Sequence, residues 1–237
     1  MVRLTSLRRN LARLAALLLA SALTFLPMHS LARAKNVYHC SRTDEKVVAL
    51  TFDDGPHPRY TRAILQLLER YGIRATFFMI GENISYYPDT AKMVVAAGHE
   101  VGNHTDTHPS IRHADNAAVR REMEIAEKKI SDLTGERPTL FRPPEGLCSS
   151  RVSTLASEMD YSVILWTVDT RDWASTPATI IARNVMQNVQ GGDILLFHDY
   201  VSGKCTTLDA LEIVIPALKA EGYSFLTVSE LIARGEK

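Results

Sequence analysis

Two adjacent carboxylates, Asp53 and Asp54, and two histidines four apart, His104 and His108, are the residue types in this chain best suited to joint chemistry. On one helical turn, positions i and i+4 point the same way, so the pair could offer two imidazoles to one metal ion. Alone, such a pair reads as two surface histidines. Adding Asp54 makes a set of two histidines and one carboxylate that leaves positions open for water and substrate, the usual form of a hydrolytic site. Zinc suits these donors best, and cobalt, nickel or iron would accept them too. Such a metal brings the pKa of its water towards ~7 and polarises a carbonyl.

Asp53 has two readings. Followed by Gly55 and Pro56, it suits a turn; beside a metal, it suits a general base, provided a cation such as Arg142 holds it while the metal neutralises Asp54. His198, after the apolar run 194–197, is the second proton-transfer candidate, because amide hydrolysis needs an acid for the departing amine. Standing alone it would read as a core histidine. His39, His57, His99 and His113 lack partners at useful spacing and are expected to bond locally or face solvent. The charged stretch 120–129 reads as a solvated helix face with i,i+4 pairs.

The elements that must position these groups follow from the apolar patterning. Strand-like runs cover 47–52, 75–80, 99–102, 139–142, 162–168, 193–197 and 224–228. Helical periodicity covers 61–71, 88–97, 116–133, 150–159, 177–189 and 208–220. Gly72 and Gly98 fall where helices end, and Pro177 where one starts. Repeated β-then-α units predict an α/β fold with a mainly parallel sheet, and about seven of them a closed or nearly closed (β/α) barrel. The polar candidates come directly after strands: Asp53 and Asp54, His104 and His108, Arg142, then Asp169, Asp172 and Trp173, then His198 and Asp199. In βα barrels those loops open on one face, so the register points to one site.

The first 34 residues stand apart. Arg3, Arg8, Arg9 and Arg13 precede an apolar run from Leu14 to Leu26, and Ala32-Arg33-Ala34 supplies a cleavage site, the layout of a secretory signal peptide. The run is short for a membrane span, and Arg8-Arg9 hints weakly at twin-arginine export. The expected organisation is a signal peptide over 1–34, a short lead over 35–46 and a catalytic domain over 47–237. The expected location is periplasmic or extracellular, with no membrane span once the signal is removed. Loss of the leader's five arginines leaves 22 basic and 27 acidic residues, net −5. A mildly acidic domain gives no electrostatic case for nucleic acid. Of Cys40, Cys148 and Cys205, the last two follow strands and are the pair available for a disulfide; unpaired loop thiols are the equal alternative.

With these residues in view, a resemblance is plain. Thr51-Phe52-Asp53-Asp54-Gly55-Pro56 resembles the first signature of the NodB-like polysaccharide deacetylases, the fourth family of carbohydrate esterases. His104-Thr105-x-x-His108 is similar to their second, Arg142-Pro143-Pro144-Glu145-Gly146 to their third, Asp169-x-x-Asp172-Trp173 to their fourth and Leu196-Phe197-His198 to their fifth. The resemblance runs from about Val47 to the C-terminus and implies a distorted (β/α) barrel. It implies Asp53 as base, Asp54, His104 and His108 as ligands of a divalent metal, Arg142 as the residue orienting Asp53, and His198 as acid. Asp172 would support the Arg142/His198 network. Trp173 would wall the groove, Leu196 line the acetyl-methyl pocket, and Pro144 and Glu145 border the substrate. The oxyanion would be held by the metal and a backbone N–H near Glu145.

Glu145 departs from the family, which usually has Tyr there. The stretch 169–173 and the compact length look like nodulation-factor chitooligosaccharide deacetylases. The implied substrate is β-1,4-linked N-acetylglucosamine in chitooligosaccharide, peptidoglycan or another surface glycan, with xylan acetyl esters behind it. Two other readings compete: a retired enzyme that binds glycans, motivated by Glu145, and an amidohydrolase of small cyclic amides on the same barrel.

Overall fold

The computed structural model of the protein describes residues 37–201 and 205–235, so the expected signal segment and its cleavage site lie outside the described residues. Strand β2 (Val47–Asp53) is buried along its whole length, as a parallel strand covered on both faces must be. Its alternate residues divide two cores. Val48, Leu50 and Phe52 pack outward with Leu195 and Phe197 against helices, including Leu67 and Leu68 of α1 (Tyr60–Tyr71). Val47 and Ala49 belong to the inner cluster with Phe78, Leu140, Ile164 and Ile194. Gly72 ends α1 with φ +62°, a left-handed conformation that glycine adopts without steric cost.

The remaining strands follow in parallel. They are β3 (Thr76–Met79), β4 (Glu100–Asn103), β5 (Leu140–Phe141), β6 (Ser162–Ile164), β7 (Val168–Asp169), β8 (Asp193–His198) and β9 (Ser224–Leu226), with β1 (Val37–Tyr38) ahead of them. The spatial order is β1-β6-β5-β4-β3-β2-β8-β7. β9 also pairs with β2; since Val48 and Ala49 bond to both β8 and β9, β9 lies on the edge that β3 occupies higher up. Outside the sheet lie α2 (Gly81–Tyr86), α3 (Pro88–Ala96), α4 (Asn116–Thr134), α5 (Ser150–Glu158), α6 (Ala178–Asn188), α7 (Thr207–Ala220) and α8 (Val228–Gly235). This is the distorted (β/α) barrel expected. Among the described residues, no helix is long and apolar enough to cross a membrane.

Four differences from the sequence reading bear on the site. The run expected as one strand over 162–168 breaks into β6 and β7, and the intervening turn carries Trp166. No ladder joins β6 to β7. That gap is spanned by the expected lead, where β1 pairs with β6, Cys40 bridges Asp193 antiparallel, and the Ser41 amide donates to the Gly192 carbonyl at 2.9 Å. Residues 104–108 are loop rather than a helical turn, with φ of +69° at Thr105 and +54° at His108. Cys40, Cys148 and Cys205 are all free thiols, so the Cys148–Cys205 disulfide is not formed.

Candidate active site

The base and acid candidates face each other by strand register. Asp53 ends β2 and His198 ends β8, and the two are paired positions of parallel neighbours. Side chains at paired positions share a face, as do those at i and i+2, so Thr51, Asp53, Leu196 and His198 all turn into the barrel mouth. A cavity of about 420 Å³ opens there. Asp53, Asp54, His104, His108, His198, Leu196, Trp173 and Glu145 of the expected set line it.

His104 and His108 reach one another by a route the helical reading missed. Asn103 Oδ1 accepts the Thr105 amide at 2.8 Å, and Thr105 Oγ1 accepts the His108 amide at 3.2 Å. Glu122, on α4, accepts the Asp106 amide at 3.0 Å, the Thr107 amide at 2.8 Å and the Thr107 hydroxyl at 3.1 Å. Lys129 on the same helix pairs with Asp106 at 2.6 Å. The charged face of α4 is thus partly a clamp on the histidine loop. Its i,i+4 pairing survives at Lys128–Asp132, 2.8 Å apart. The His104 and His108 rings end with centroids 4.9 Å apart.

Asp54 completes the cluster. Its Oδ1 lies 3.4 Å from His104 Nε2 and 3.5 Å from His108 Nε2, and ligand atoms of all three residues fall within 4.8 Å of one another. His104 Nδ1 sits 2.7 Å from the Arg142 carbonyl, which fixes the proton on that nitrogen and leaves Nε2 to face the cluster. Asp54 Oδ1 is buried without a hydrogen-bond partner. An orphan carboxylate oxygen aimed between two imidazoles is costly unless something cationic sits there, so the donor set fits a divalent metal. Burial alone would raise the Asp54 pKa, but the charges of the His104, His198 and His108 imidazoles outweigh it and lower the value. Burial and the His104 charge push His108 down, while the Asp53 and Asp54 charges overcome burial at His104 and push it up.

Asp54, His108 and Glu145 are three of the seven non-glycine residues with positive φ among the described residues, and all three line the cavity. Such backbone costs on the order of 1–3 kcal/mol per residue and persists where surrounding contacts over-determine it. At Asp54, Asn83 supplies one such contact by donating to the Asp54 carbonyl at 2.7 Å.

Behind the cavity wall lie the two residues expected to position the proton carriers. Arg142 is fully buried. Its Nη1 donates to Asp53 Oδ1 at 2.6 Å and Thr51 Oγ1 at 2.8 Å, and its Nε and Nη2 donate to the Ile164 and Leu165 carbonyls at 3.1 Å each. The guanidinium lies 4.1 Å from the centre of the Phe78 ring. Asp172 is buried too, and it accepts from four groups: His198 Nδ1 at 2.8 Å, the His198 amide at 2.8 Å, Thr207 Oγ1 at 2.7 Å and the Trp173 amide at 3.0 Å. Arg142 and Asp172 therefore serve separate partners rather than one shared network. Burial lowers the His198 pKa, but the Asp172 hydrogen bond and charge, with the Asp53 and Asp54 charges, reverse this and lift it to about 9.

Pro144 is buried and does not line the cavity, whereas Glu145 and Gly146 beside it do. Two contributors were missed, and a third, Asp199, was singled out only by its place after a strand. Trp166 lines the cavity, and only its odd bulk in an aliphatic run hinted at it. Glu122 was hidden inside a charge run. Asp199 lies fully buried under Gly55, where an added Cβ would stand 2.2 Å from its carboxylate; burial pushes its pKa up to about 7 despite the Thr61 hydroxyl donating at 2.5 Å. His57 bonds locally, accepting the Arg59 and Tyr60 amides at 3.1 Å each, while His99 is buried and accepts the Ala75 amide at 3.1 Å.

The polysaccharide deacetylase family model matches residues 41–164. A peptidoglycan-N-acetylglucosamine deacetylase of Bacillus cereus is 40% identical over 191 residues, which cover 80% of this chain and 89% of that protein. Among solved structures, a peptidoglycan N-acetylglucosamine deacetylase in complex with 4-naphthalen-1-yl-N-oxidanyl-benzamide superposes with a TM-score of 0.80 at 33% identity, covering 84% of this chain and 93% of that one. A pseudoenzyme of the fourth carbohydrate esterase family from Bacillus anthracis gives a TM-score of 0.78 at 30% identity, covering 84% and 69%. Fold, matched residues and relatives agree: the chain belongs to the polysaccharide deacetylases, hydrolases of non-peptide carbon–nitrogen bonds.

Proposed function

We propose that this protein removes N-acetyl groups from N-acetylglucosamine residues of an exported glycan, with peptidoglycan the favoured polymer and chitooligosaccharide the second. The observation that carries the reading is the in-register pair Asp53 and His198 flanking the Asp54/His104/His108 cluster in one cavity. The three cluster residues would hold a divalent cation, zinc by donor preference and cobalt next. When bound, that ion supplies Lewis acidity towards a water and the acetyl carbonyl.

The chain's own residues do the rest. Asp53, held by Arg142, takes the proton of the attacking water. His198, kept protonated by Asp172, delivers a proton to the departing sugar amine. The Glu145 amide is the proposed oxyanion donor: Pro143 and Pro144 have no N–H, and the Gly146 and Leu147 amides already bond to the Pro143 and Pro144 carbonyls. Leu196 meets the acetyl methyl, and Trp166 and Trp173 give apolar walls for the sugar ring.

Acetate release from N-acetylglucosamine oligomers and from peptidoglycan tests this directly. Release should be abolished by a chelator and restored by Zn²⁺ or Co²⁺. Metal-loaded protein that binds these glycans and frees no acetate would overturn the reading in favour of a retired enzyme. Turnover of small cyclic amides in preference to glycans would overturn it in favour of an amidohydrolase.

A further inference from the structure

Beside the catalytic cavity, and sharing Gly146 with it, is a second hollow of about 280 Å³. Its floor is apolar, with Ile111 and Val152 only 1% and 2% exposed. Its charged lining residues are Arg112 and Arg151, with no carboxylate among them. Arg151 is held in place: Nη1 donates to Asn116 Oδ1 at 3.1 Å and Nη2 to the Ile111 carbonyl at 2.9 Å, which leaves further N–H groups free. Arg112 is exposed and has no ion-pair or hydrogen-bond partner among the described residues.

The catalytic cavity, unlike this hollow, is lined with carboxylates. Asp53 is matched by Arg142, and Asp54 faces two imidazoles. Glu145 and Asp169 also line that cavity, and neither side chain pairs with a cation among the described residues. An anionic substituent placed against Glu145 and Asp169 meets like charge, whereas in the adjoining hollow it meets two guanidiniums over an apolar floor.

We infer that the hollow is a subsite for a carboxylate-bearing sugar next to the acetamido sugar under attack. Arg112 and Arg151 hold the anion, and Glu145 and Asp169 keep that sugar out of the reacting position. The identity of the reacting sugar rests on the deacetylase reading above; the preference for a carboxylate does not. A lactyl ether and a uronic acid present the same charge from different points of the ring. The apolar floor suits either.

Three oligomers of equal length separate the possibilities: uncharged N-acetylglucosamine, an alternating oligomer with lactyl carboxylates, and an alternating oligomer with uronates. Both of the chain's tryptophans line the catalytic cavity, so quenching of their fluorescence reports binding in chelator-treated protein, with no turnover required. One carboxylated oligomer should bind about three- to tenfold tighter than the uncharged one, the range of a charge-assisted contact at a half-exposed site. Arg112→Gln should abolish that preference, and added salt should erode it in the unaltered protein. Arg151→Gln is the second variant. Equal binding of all three oligomers, or a preference untouched by both substitutions, overturns the subsite. A binding preference that vanishes in Arg112→Gln while metal-loaded protein frees no acetate upholds the subsite and overturns only the reaction.

Discussion

Replacing Asp172 by Asn tests the proton-delivery half of the mechanism with almost no change in volume. The carboxylate accepts four hydrogen bonds, two on each oxygen, and three of the donors are His198 Nδ1, the His198 amide and the Trp173 amide. An amide has one oxygen, so its NH₂ must face either His198 Nδ1 and the Trp173 amide, or the His198 amide and Thr207. Either choice sets donor against donor and leaves a buried N–H unpaired, costing about 1–3 kcal/mol of stability. The larger effect is on protonation. His198 is held at about 9, against 6.5 for a free imidazole, in spite of burial that lowers it. Each pKa unit is about 1.4 kcal/mol, so the net upward shift is worth about 3–4 kcal/mol, and the upward coupling more, since it also offsets burial. Asp172 is the nearest of its sources. The acid must be protonated to act, so activity holds below the His198 pKa and is lost as pH rises through it. Asp172→Asn should move that alkaline limb of kcat for acetate release towards acid by about one to two units. It should also lower kcat at pH 8 by about two- to tenfold, the fall in the protonated fraction of His198 that such a shift produces. His198→Ala should remove the limb altogether. An alkaline limb that stays in place in Asp172→Asn, with the variant folded, would refute the assignment of His198 as the acid set by Asp172.

Two further perturbations address the scaffold. Glu122→Ala removes all three hydrogen bonds that Glu122 accepts from the 106–107 turn, so metal affinity measured by chelator competition should fall about 10- to 100-fold; unchanged affinity in a folded variant would make Glu122 a bystander. His99, neutral and accepting the Ala75 amide in the fold, has a pKa lowered to about 4, chiefly by burial and also by Arg74. A histidine depressed on folding contributes stability that is complete above its unfolded pKa of 6.5 and is lost as pH falls from there towards 4. Allowing for its partial exposure, the contribution is about 2 kcal/mol. His99→Asn, which keeps an acceptor for Ala75, should therefore lose less stability than the unaltered protein between pH 7.5 and 4.5, as read from urea midpoints.

The barrel and its site were largely legible because they depend on two local periodicities. Alternation in β2 and β8 sets Thr51, Asp53, Leu196 and His198 on the inner face, and the strand ends then converge by topology. What escaped the sequence depends on exceptions to those periodicities. An apolar run such as 162–168 has nothing in its pattern to mark a break, yet the turn within it frees Trp166 for the cavity and lets the Ile164 and Leu165 carbonyls accept from Arg142. A histidine pair at i and i+4 suits a helix, but Thr105 and His108 adopt left-handed backbone instead, held by Asn103 and Glu122. Disulfide pairing requires a distance, which spacing in the sequence does not give.

Arg142 shows why the exceptions gather around one residue. A fully buried guanidinium is tolerated only when its donors are met and its charge is matched. Here four acceptors come from three places: Asp53 and Thr51 on β2, Ile164 at the end of β6, and Leu165 in the break. Had 162–168 continued as a strand, the Leu165 carbonyl would have been committed to a sheet ladder, leaving one donor unmet. The Arg142 carbonyl in turn accepts from His104 and fixes the tautomer on which the cluster depends. One residue therefore links the base, the broken strand and the metal-ligand geometry. Shortening it to Lys would keep the charge but forfeit the fork that satisfies all four acceptors at once.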